Sequence, residues 1–197
     1  MTVTLLTSQS APTTTNADAL VTGVFQGQDG PVLTWSTDEF DLMAALTALG
    51  ATGKAEEITK IPTSGQLATP VIVAVGLGPE PGGPAERLAY LERLRRAAGA
   101  ATRDLTAGAP ARAKRVAVAL PASEPDEAEA VALGGLLGSY AFRRYRTSSG
   151  APGDVELIVH TAHDDAVARA KDYVTRAIAE TRHLGPWRLW NFSSSGV

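Results

Sequence analysis

The chain has 197 residues, of which 44% are hydrophobic and 20% charged, a composition that is ordinary for one globular domain with a single core. Its net charge of −3 argues against a dominant nucleic-acid-binding role, and its lack of cysteine excludes a disulfide framework or a thiolate metal site. The N-terminus lacks the basic region of a signal peptide, and no stretch approaches the roughly 20 apolar residues of a membrane helix. We therefore expect a cytoplasmic protein.

The first third of the chain contains short β-rich runs and one helical run. Strands are predicted at residues 2–6, 19–25, 31–35 and 56–62. The early strands are hairpin-like, and the fourth ends at Pro62, which favours an edge position. A helix is predicted to begin with Thr37 or Asp38 as its cap and to stop at Gly50.

The remainder alternates between apolar strands and longer helices. Runs at 71–75, 115–120 and 154–159 are typical of strands that are buried on both faces. Helices are predicted at 84–107, from the capping box Ser123-Glu124-Pro125-Asp126 to about Tyr145, and at 164–180. The predicted apolar stripes comprise Leu88, Leu91, Leu94, Ala98, Ala101 and Leu105 in the helix at 84–107, and Val167, Ala170, Val174 and Ile178 in the helix at 164–180.

This order of segments predicts the fold class. Strands that are separated by helices of this length are joined by right-handed crossovers and form a largely parallel sheet with both faces covered. The hairpin-like early strands make the sheet mixed, and the chain shows no internal repeat. We therefore predict an α/β fold, a three-layer α/β/α sandwich.

A glycine-rich loop, "VGLGPEPGG" at 75–83, follows a buried strand and precedes a helix, where phosphate is bound in many α/β proteins. The dinucleotide fingerprint needs a third glycine where Pro81 stands, and Pro79 and Pro81 both lack the amide donors that hold an anion. The loop is therefore interpreted as a sharp turn between strand and helix.

His160 and His163 lie at the end of a predicted strand beside Asp164 and Asp165, and all four are potential metal ligands. The spacing of the two histidines does not by itself bring their imidazoles together, and both acids suit the first turn of a helix. No G-x-S-x-G nucleophile motif is present. We assign no catalytic, cofactor-binding or metal-ligating residue to this chain.

The third helix ends in two further features. Arg143, Arg144 and Arg146 alternate with Tyr140 and Tyr145, a pattern that favours an interface over a nucleic-acid contact, given the net negative charge. The same helix contains Gly134, Gly135 and Gly138, each of which costs about 0.8–1 kcal/mol relative to alanine in a helix interior. We interpret "GGLLGSYAF" as a packing seam, a surface that another backbone approaches closely.

The order of several stretches resembles the N-terminal domain of the cytosol (leucyl) aminopeptidase family. The matching stretches are "ADALVTGVF", "GKAEEITKIPT", "VIVAVGLG", "RRAAGAATRDL", "RVAVALP" and "ALGGLLGSYAFRRYRTS", and together they extend over roughly residues 17–180. The most specific is the last, a small-residue helix that runs into F-x-R-Y-[KR]-[ST].

The resemblance implies a macro-domain-like fold and a domain that contributes to assembly of a homohexamer. It also implies a parent metallo-aminopeptidase whose separate catalytic domain binds two divalent metals, zinc or manganese among them, through a lysine and carboxylates. The family marks that site with N-T-D-A-E-G-R-L, whereas the only asparagines here are Asn16 and Asn191 in other contexts. No metal ligand is therefore transferred to this sequence.

The resemblance also predicts two segments, a family domain at 1–183 and a tail at 184–197 that departs from the family. Family members continue from this point with A-R-D-L-V-N-T-P-P, whereas this chain reads "TRHLGPWRLWNFSSSGV". We hypothesise that the reading frame was disturbed near residue 182 or that the chain carries a foreign end.

Three functions follow from these observations. The first is the non-catalytic N-terminal domain of a leucyl aminopeptidase, inactive on its own, with its own catalytic domain and a homo-oligomer as partners. The second is a stand-alone module that binds a nucleotide or ADP-ribose, with the loops after 71–78 and 115–121 lining the site. The third is a partner that docks on a full-length aminopeptidase through the packing seam. Membrane and nucleic-acid partners are not expected.

Overall fold

The computed structural model describes residues 3–106, 114–139 and 154–183. These ranges form a sheet flanked by helices. The strands are β1 Val3–Ser8, β2 Ala19–Gln26, β3 Pro31–Leu33, β4 Ile58–Pro62, β5 Val71–Gly78, β6 Arg115–Ala119 and β7 Val155–His160. The α-helices are α1 Leu42–Ala48, α2 Arg87–Thr106, α3 Pro125–Ser139 and α4 Asp164–His183, with short 3-10 turns at Pro12–Thr14 and Pro84–Glu86.

The seven strands form one mixed, largely parallel sheet in the order β1-β7-β6-β2-β5-β4. Strands β1, β7, β6, β2 and β5 are parallel, whereas β4 runs antiparallel at one edge. Strand β3 is antiparallel to the second half of β2 and lies beyond the end of β6. The predicted fold class and the edge position of β4 are both confirmed.

The first strand does not form a hairpin with its neighbour in sequence. β1 is parallel to β7 at the far edge of the sheet, because β5 occupies one edge of β2 while β6 and β3 share the other. Only β2 and β3 form the expected hairpin. The loop from β1 to β2 therefore runs from the carboxyl end of the parallel strands to their amino end, where Asp18 accepts from the Lys114 and Arg115 amides at the start of β6. Its first part, with Ser10 and Thr15, contacts His160 at the end of β7.

Both faces of the sheet are covered. One face packs against α2, α3 and α4 through a cluster that includes Val73, Leu94 and Leu157. The other face packs against α1 through a smaller cluster that includes Ile72 and Leu46. Because β2 lies between both layers, its residues Ala19–Phe25 are all buried, as expected for a strand at the centre of an α/β sandwich.

The apolar stripe of α2 differs from the prediction at its first turn. Leu94, Ala98, Ala101 and Leu105 are buried as predicted, but Leu88 is 82% exposed and Leu91 is only partly buried. Tyr90 takes the buried position instead and packs against Phe25. Leu88 in the first turn of α2 is therefore left uncovered, and periodicity alone does not reveal which turn of a helix other elements will cover.

Hydrogen bonds between nearby residues determine where α1 begins and ends. The N-cap is Asp41, whose Oδ1 accepts from the Ala44 amide at 2.9 Å, so the prediction of Thr37 or Asp38 is wrong. At the other end Gly50 has φ +69°, which glycine adopts without strain. The Gly50 and Ala51 amides donate to Thr47 and Leu46 carbonyls, the paired bonds of a Schellman motif, so the predicted stop at Gly50 is confirmed.

The glycines of α3 bring it against α2 at backbone contact distance. A Cβ atom at Gly138 would lie 2.7 Å from Gly99 Cα, and one at Gly134 would lie 2.9 Å from the carbonyl carbon of Arg95. Both distances are shorter than real Cβ contacts. The predicted packing seam therefore exists, and within residues 134–139 it is used inside the chain, by α2.

Several predictions fall outside the described residues. These are the Arg143, Arg144, Arg146, Tyr140 and Tyr145 cluster, the end of the third helix near 145 and the tail at 184–197. In α4, Val167, Ala170 and Val174 are buried as predicted, and the side chain of Ile178, the fourth predicted position, also lies outside the described part of the chain. No helix in the described ranges has the length and apolar character needed to cross a membrane.

Candidate functional site

Two residues singled out in the sequence, His160 and His163, lie at and just after the carboxyl end of β7. His160 is the last residue of β7, and its imidazole lies against the loop between β1 and β2. Nδ1 lies 3.1 Å from the Ser10 carbonyl oxygen, and Nε2 lies 3.2 Å from Thr15 Oγ1. A carbonyl only accepts, so Nδ1 carries the proton and Nε2 accepts from the threonine hydroxyl.

Burial lowers the pKa of His160, although the bond to the Ser10 carbonyl acts in the opposite direction. The neutral imidazole is therefore the form that suits this site, since a protonated Nε2 would lose its role as an acceptor. His160 thus connects the end of β7 to the β1–β2 loop.

His163 makes a separate contact. Its Nε2 donates to the Ser123 carbonyl oxygen at 2.7 Å, which ties the start of α4 to the loop before α3. Asp164 and Asp165 occupy the first turn of α4, as predicted. The two imidazoles thus bind different loops, and within the described ranges no group of three or more potential metal ligands is found.

The glycine-rich loop is held by backbone bonds. The Gly76 amide donates to the Glu57 carbonyl at 2.8 Å, and the Gly78 amide donates to the Gly53 carbonyl at 2.9 Å. A Cβ atom at Gly76 would lie 2.7 Å from the carbonyl carbon of Lys54, so the segment at 53–57 crosses directly over the end of β5. These two amides are therefore used within the chain, and the glycines serve close backbone packing.

The side chain of Glu57 holds the segment at 53–57, which crosses β5, through hydrogen bonds. Its Oε2 accepts from the Thr52 amide and hydroxyl, each at 2.9 Å, and from the Gly53 amide at 2.8 Å. Burial raises the pKa of Glu57, but the bonds from Thr52 and the neighbouring amides outweigh this effect, and the pKa is lowered overall. Sequence reasoning missed this residue, because its partners are set by a turn with no recognised motif.

A second internal carboxylate caps α3. Glu127 is 5% exposed, and its Oε2 accepts from the Ser123 amide at 3.0 Å, the Ser123 hydroxyl at 3.1 Å and the Glu124 amide at 3.2 Å. Its Oε1 accepts from Arg87 Nη1 at 2.9 Å, and Arg87 also pairs with Asp126. The acid that caps α3 is therefore Glu127, whereas the predicted capping box placed Asp126 in this role.

A crevice opens at the same edge of the sheet and encloses about 420 Å³. Its lining includes Ala119, Leu120 and Pro121 at the end of β6, and Thr34, Trp35 and Ser36 after β3. Pro12, Ser123 and His160 complete the lining. Sequence reasoning identified the β6 loop and His160 but missed Trp35, which β3 carries to this edge.

The loop after β5 lines a different cavity. That cavity lies between Pro81, Pro84 and the first turns of α2, where Arg87 and Tyr90 contribute. The loops after 71–78 and 115–121, which the nucleotide hypothesis places around one ligand, thus line two separate cavities.

Comparison with known proteins identifies the family. Residues 21–149 match the family model described as "Cytosol aminopeptidase family, N-terminal domain". The probable cytosol aminopeptidase of Streptomyces griseus is 46% identical over 149 residues, which cover 72% of this chain and 27% of that protein. The Streptomyces coelicolor protein of the same name is 43% identical over 157 residues, covering 76% of this chain and 28% of that protein.

Solved structures share the fold. A mutant tomato leucine aminopeptidase superposes with a TM-score of 0.62 at 18% identity, over 86% of this chain and 35% of that one. The bottromycin maturation enzyme BotP, in complex with Mn, has a TM-score of 0.54 at 23% identity, over 78% of this chain and 29% of that one. The chain spans about 27–37% of the length of the curated relatives it matches. It belongs to the cytosol aminopeptidase family, as a match to the N-terminal domain of that family.

Proposed function

We propose that this chain is the non-catalytic N-terminal domain of a metal-dependent leucyl aminopeptidase. The parent enzyme would release N-terminal amino acids from peptides during protein turnover in the cytosol, the compartment named in its relatives. The observation that carries the proposal is the match of residues 21–149 to the N-terminal domain alone. By itself the chain is inactive, and its role is assembly of a homo-oligomer.

The polar residues of the described ranges support a structural role. His160 and His163 bind loop atoms, and Glu57 and Glu127 bind the amides of turns in their own chain. These residues do not fit the pair of divalent ions, manganese or zinc, that the family resemblance implies, because no three potential ligands come together in the described ranges. We place those ions in a catalytic domain and derive no step of the reaction here.

An activity assay tests the inactivity of the chain. The purified 197-residue chain is incubated with a leucyl chromogenic substrate and Mn²⁺ or Zn²⁺, with the Streptomyces griseus relative as the active control. We expect turnover from the relative only. Metal-dependent release of leucine by this chain would overturn the proposal.

A domain exchange tests the assembly role. Residues 1–183 replace the matching region of the Streptomyces griseus relative, and a second variant of that relative lacks the region altogether. We expect the deleted protein to lose its oligomeric state by light scattering and the exchanged protein to regain it. A deleted protein that keeps both its size and its activity would contradict an assembly role.

A further inference from the structure

Strand β1 leaves one edge of the sheet open. It is the terminal strand in the order β1-β7-β6-β2-β5-β4, and it pairs with β7 alone, from Val3 opposite Val155 to Ser8 opposite His160. Within the described ranges no backbone hydrogen bond to β1 is found other than those from β7 and the residue that follows it. The outer side of β1 is therefore free to pair with a further strand.

The open backbone groups belong to alternate residues of β1. The Thr161 amide, directly after β7, bonds to the Ser8 carbonyl at 3.0 Å. Because successive residues of a strand direct their amide and carbonyl groups to opposite edges, the groups of Ser8, Leu6 and Thr4 point towards β7. The amides and carbonyls that face the open edge, and that meet no hydrogen-bond partner in the described part of the chain, are those of Val3, Leu5 and Thr7.

The edge at β1 has none of the features that usually prevent strand pairing. Proteins protect sheet edges with charged side chains and with proline. At the opposite edge, β4 contains both: Lys60, which pairs with Asp104 at 2.6 Å, and Pro62, which has no amide to donate. The β1 sequence VTLLTS contains no charged residue, proline or glycine. Of the two edges, β1 is thus the one that accepts a further strand.

The open groups of β1 match those of a second β1 that runs antiparallel to it. With a two-fold axis at Leu5, this residue lies opposite Leu5 of the second copy, and Val3 lies opposite Thr7. Residues that face each other in this way exchange both of their backbone bonds, so every open group of both strands is satisfied. A shift by two residues leaves open groups outside the ladder, and a shift by one places side chains on the wrong face.

The side chains of β1 suit the same pairing. On the face covered by helices, Val3 and Leu5 already pack in the core cluster. On the other face, Thr4 is exposed and Leu6 is 41% exposed, and the antiparallel register places Thr4 opposite Leu6 of the second copy. Such a pair stabilises a sheet and removes Leu6 from water. Because the strand is uncharged, two copies meet without repulsion between like charges.

We propose that two copies of this chain associate by antiparallel pairing of their β1 strands, which joins the two sheets into one. The partner is a second copy of the chain, related by a two-fold axis at Leu5. The inference rests on the proposed function for its role in assembly, and it adds the surface and the register. The pairing itself is a property of the 197-residue chain and is measured without a catalytic domain.

Light scattering of the full chain over a range of concentrations tests the pairing. We expect the mass to rise with concentration towards twice the monomer mass of 20.5 kDa. Thr7→Pro removes an open amide but no bond to β7, so this variant is expected to fold and to remain monomeric. Thr7→Val keeps the amide and is the matched control, which should associate like the original chain. Circular dichroism of each variant confirms that it is folded.

Charged residues at the two exposed positions test the register. Thr4→Lys with Leu6→Lys places lysine opposite lysine on both sides of the axis, whereas Thr4→Glu with Leu6→Lys places glutamate opposite lysine. We expect the second double variant to associate at least about tenfold more tightly than the first. The reversed pair, Thr4→Lys with Leu6→Glu, should behave like the second. High salt should reduce the difference, because these charges are exposed.

Three results would overturn the proposal. These are a chain that stays monomeric at every concentration, folded Thr7→Pro protein that associates as tightly as Thr7→Val, and equal affinities of the like-charged and oppositely charged double variants. In a monomer, hydrogen exchange that is slow at Leu5 and Thr7 would assign the edge to another segment of the same chain. A monomeric chain together with a domain exchange that restores assembly would remove this surface and leave the proposed function standing.

Discussion

The contact between α2 and α3 gives a prediction whose size follows from the structure. In Gly138→Ala, the new Cβ atom would lie 2.7 Å from Gly99 Cα and closer still to the Gly99 carbonyl oxygen. Carbon atoms pack at about 3.5–4.0 Å, so the helices must separate by roughly 1 Å. The obstructing atoms are backbone, and no change of rotamer relieves the contact.

The expected destabilisation is the difference of two effects. Adding a methyl group to a tightly packed core costs about 1–3 kcal/mol, and the rigid partner at Gly99 favours the upper part of that range. Replacing a helical glycine by alanine returns about 0.8–1 kcal/mol of helix propensity. The free energy of unfolding should therefore fall by about 2 kcal/mol, which lowers Tm by roughly 4–8 °C in a protein of this size.

Gly135→Ala is the matched control on the same helix. Its Cβ atom would lie 3.4 Å from Leu157 Cδ1 and 3.7 Å from Thr102 Oγ1, close to ordinary contact distances. Because only the propensity effect remains, this variant should be as stable as the original chain or up to about 1 kcal/mol more stable. Urea and thermal unfolding followed by circular dichroism measure both variants. A Gly138→Ala chain at least as stable as Gly135→Ala would refute the reasoning.

Two further predictions concern charged and titratable groups. Because burial lowers the pKa of His160, the unfolded chain binds a proton first as the pH falls below about 6.5, and stability is lost down to the lowered pKa of the folded state. His160→Gln should show a smaller loss in the urea midpoint between about pH 7.5 and 5.5, and an equal loss would contradict the assignment. Arg87→Met removes the cation beside buried Glu127 and should cost about 1.5–3 kcal/mol in urea unfolding. Arg95→Met, which breaks only the exposed pair with Glu92, should cost about 0.3–0.5 kcal/mol, and equal losses in the two variants would show that Glu127 does not depend on Arg87.

Much of the fold could be predicted because its signals are local. The run at 71–75 is continuously apolar because β5 lies between two other strands and under two layers. Gly50 marks the end of α1 because a left-handed residue is needed there. The cluster Gly134, Gly135 and Gly138 indicated a close backbone, although the sequence did not say which backbone it would be.

The errors have different causes: two depend on neighbours distant in sequence, and one is a choice between nearby capping residues. Leu88 fits the apolar period of α2 but lies where no layer covers it. The prediction that Asp38 caps α1 failed because Asp41 accepts from the Ala44 amide. His160 and His163 are close in sequence, yet their partners Ser10 and Ser123 lie in different loops.

Fold class, most of the strands and helices, and the resemblance to the cytosol aminopeptidase family could be predicted from the amino-acid sequence, because periodicity, caps and glycine positions are properties of short stretches of chain. The pairing of β1 with β7, the contact of α2 with the packing seam, and the presence of Trp35 and Pro121 in one crevice emerged only from the folded structure. Each of these outcomes depends on which strand edges and helix faces remain free once the others have paired, and that is a property of the whole folded chain.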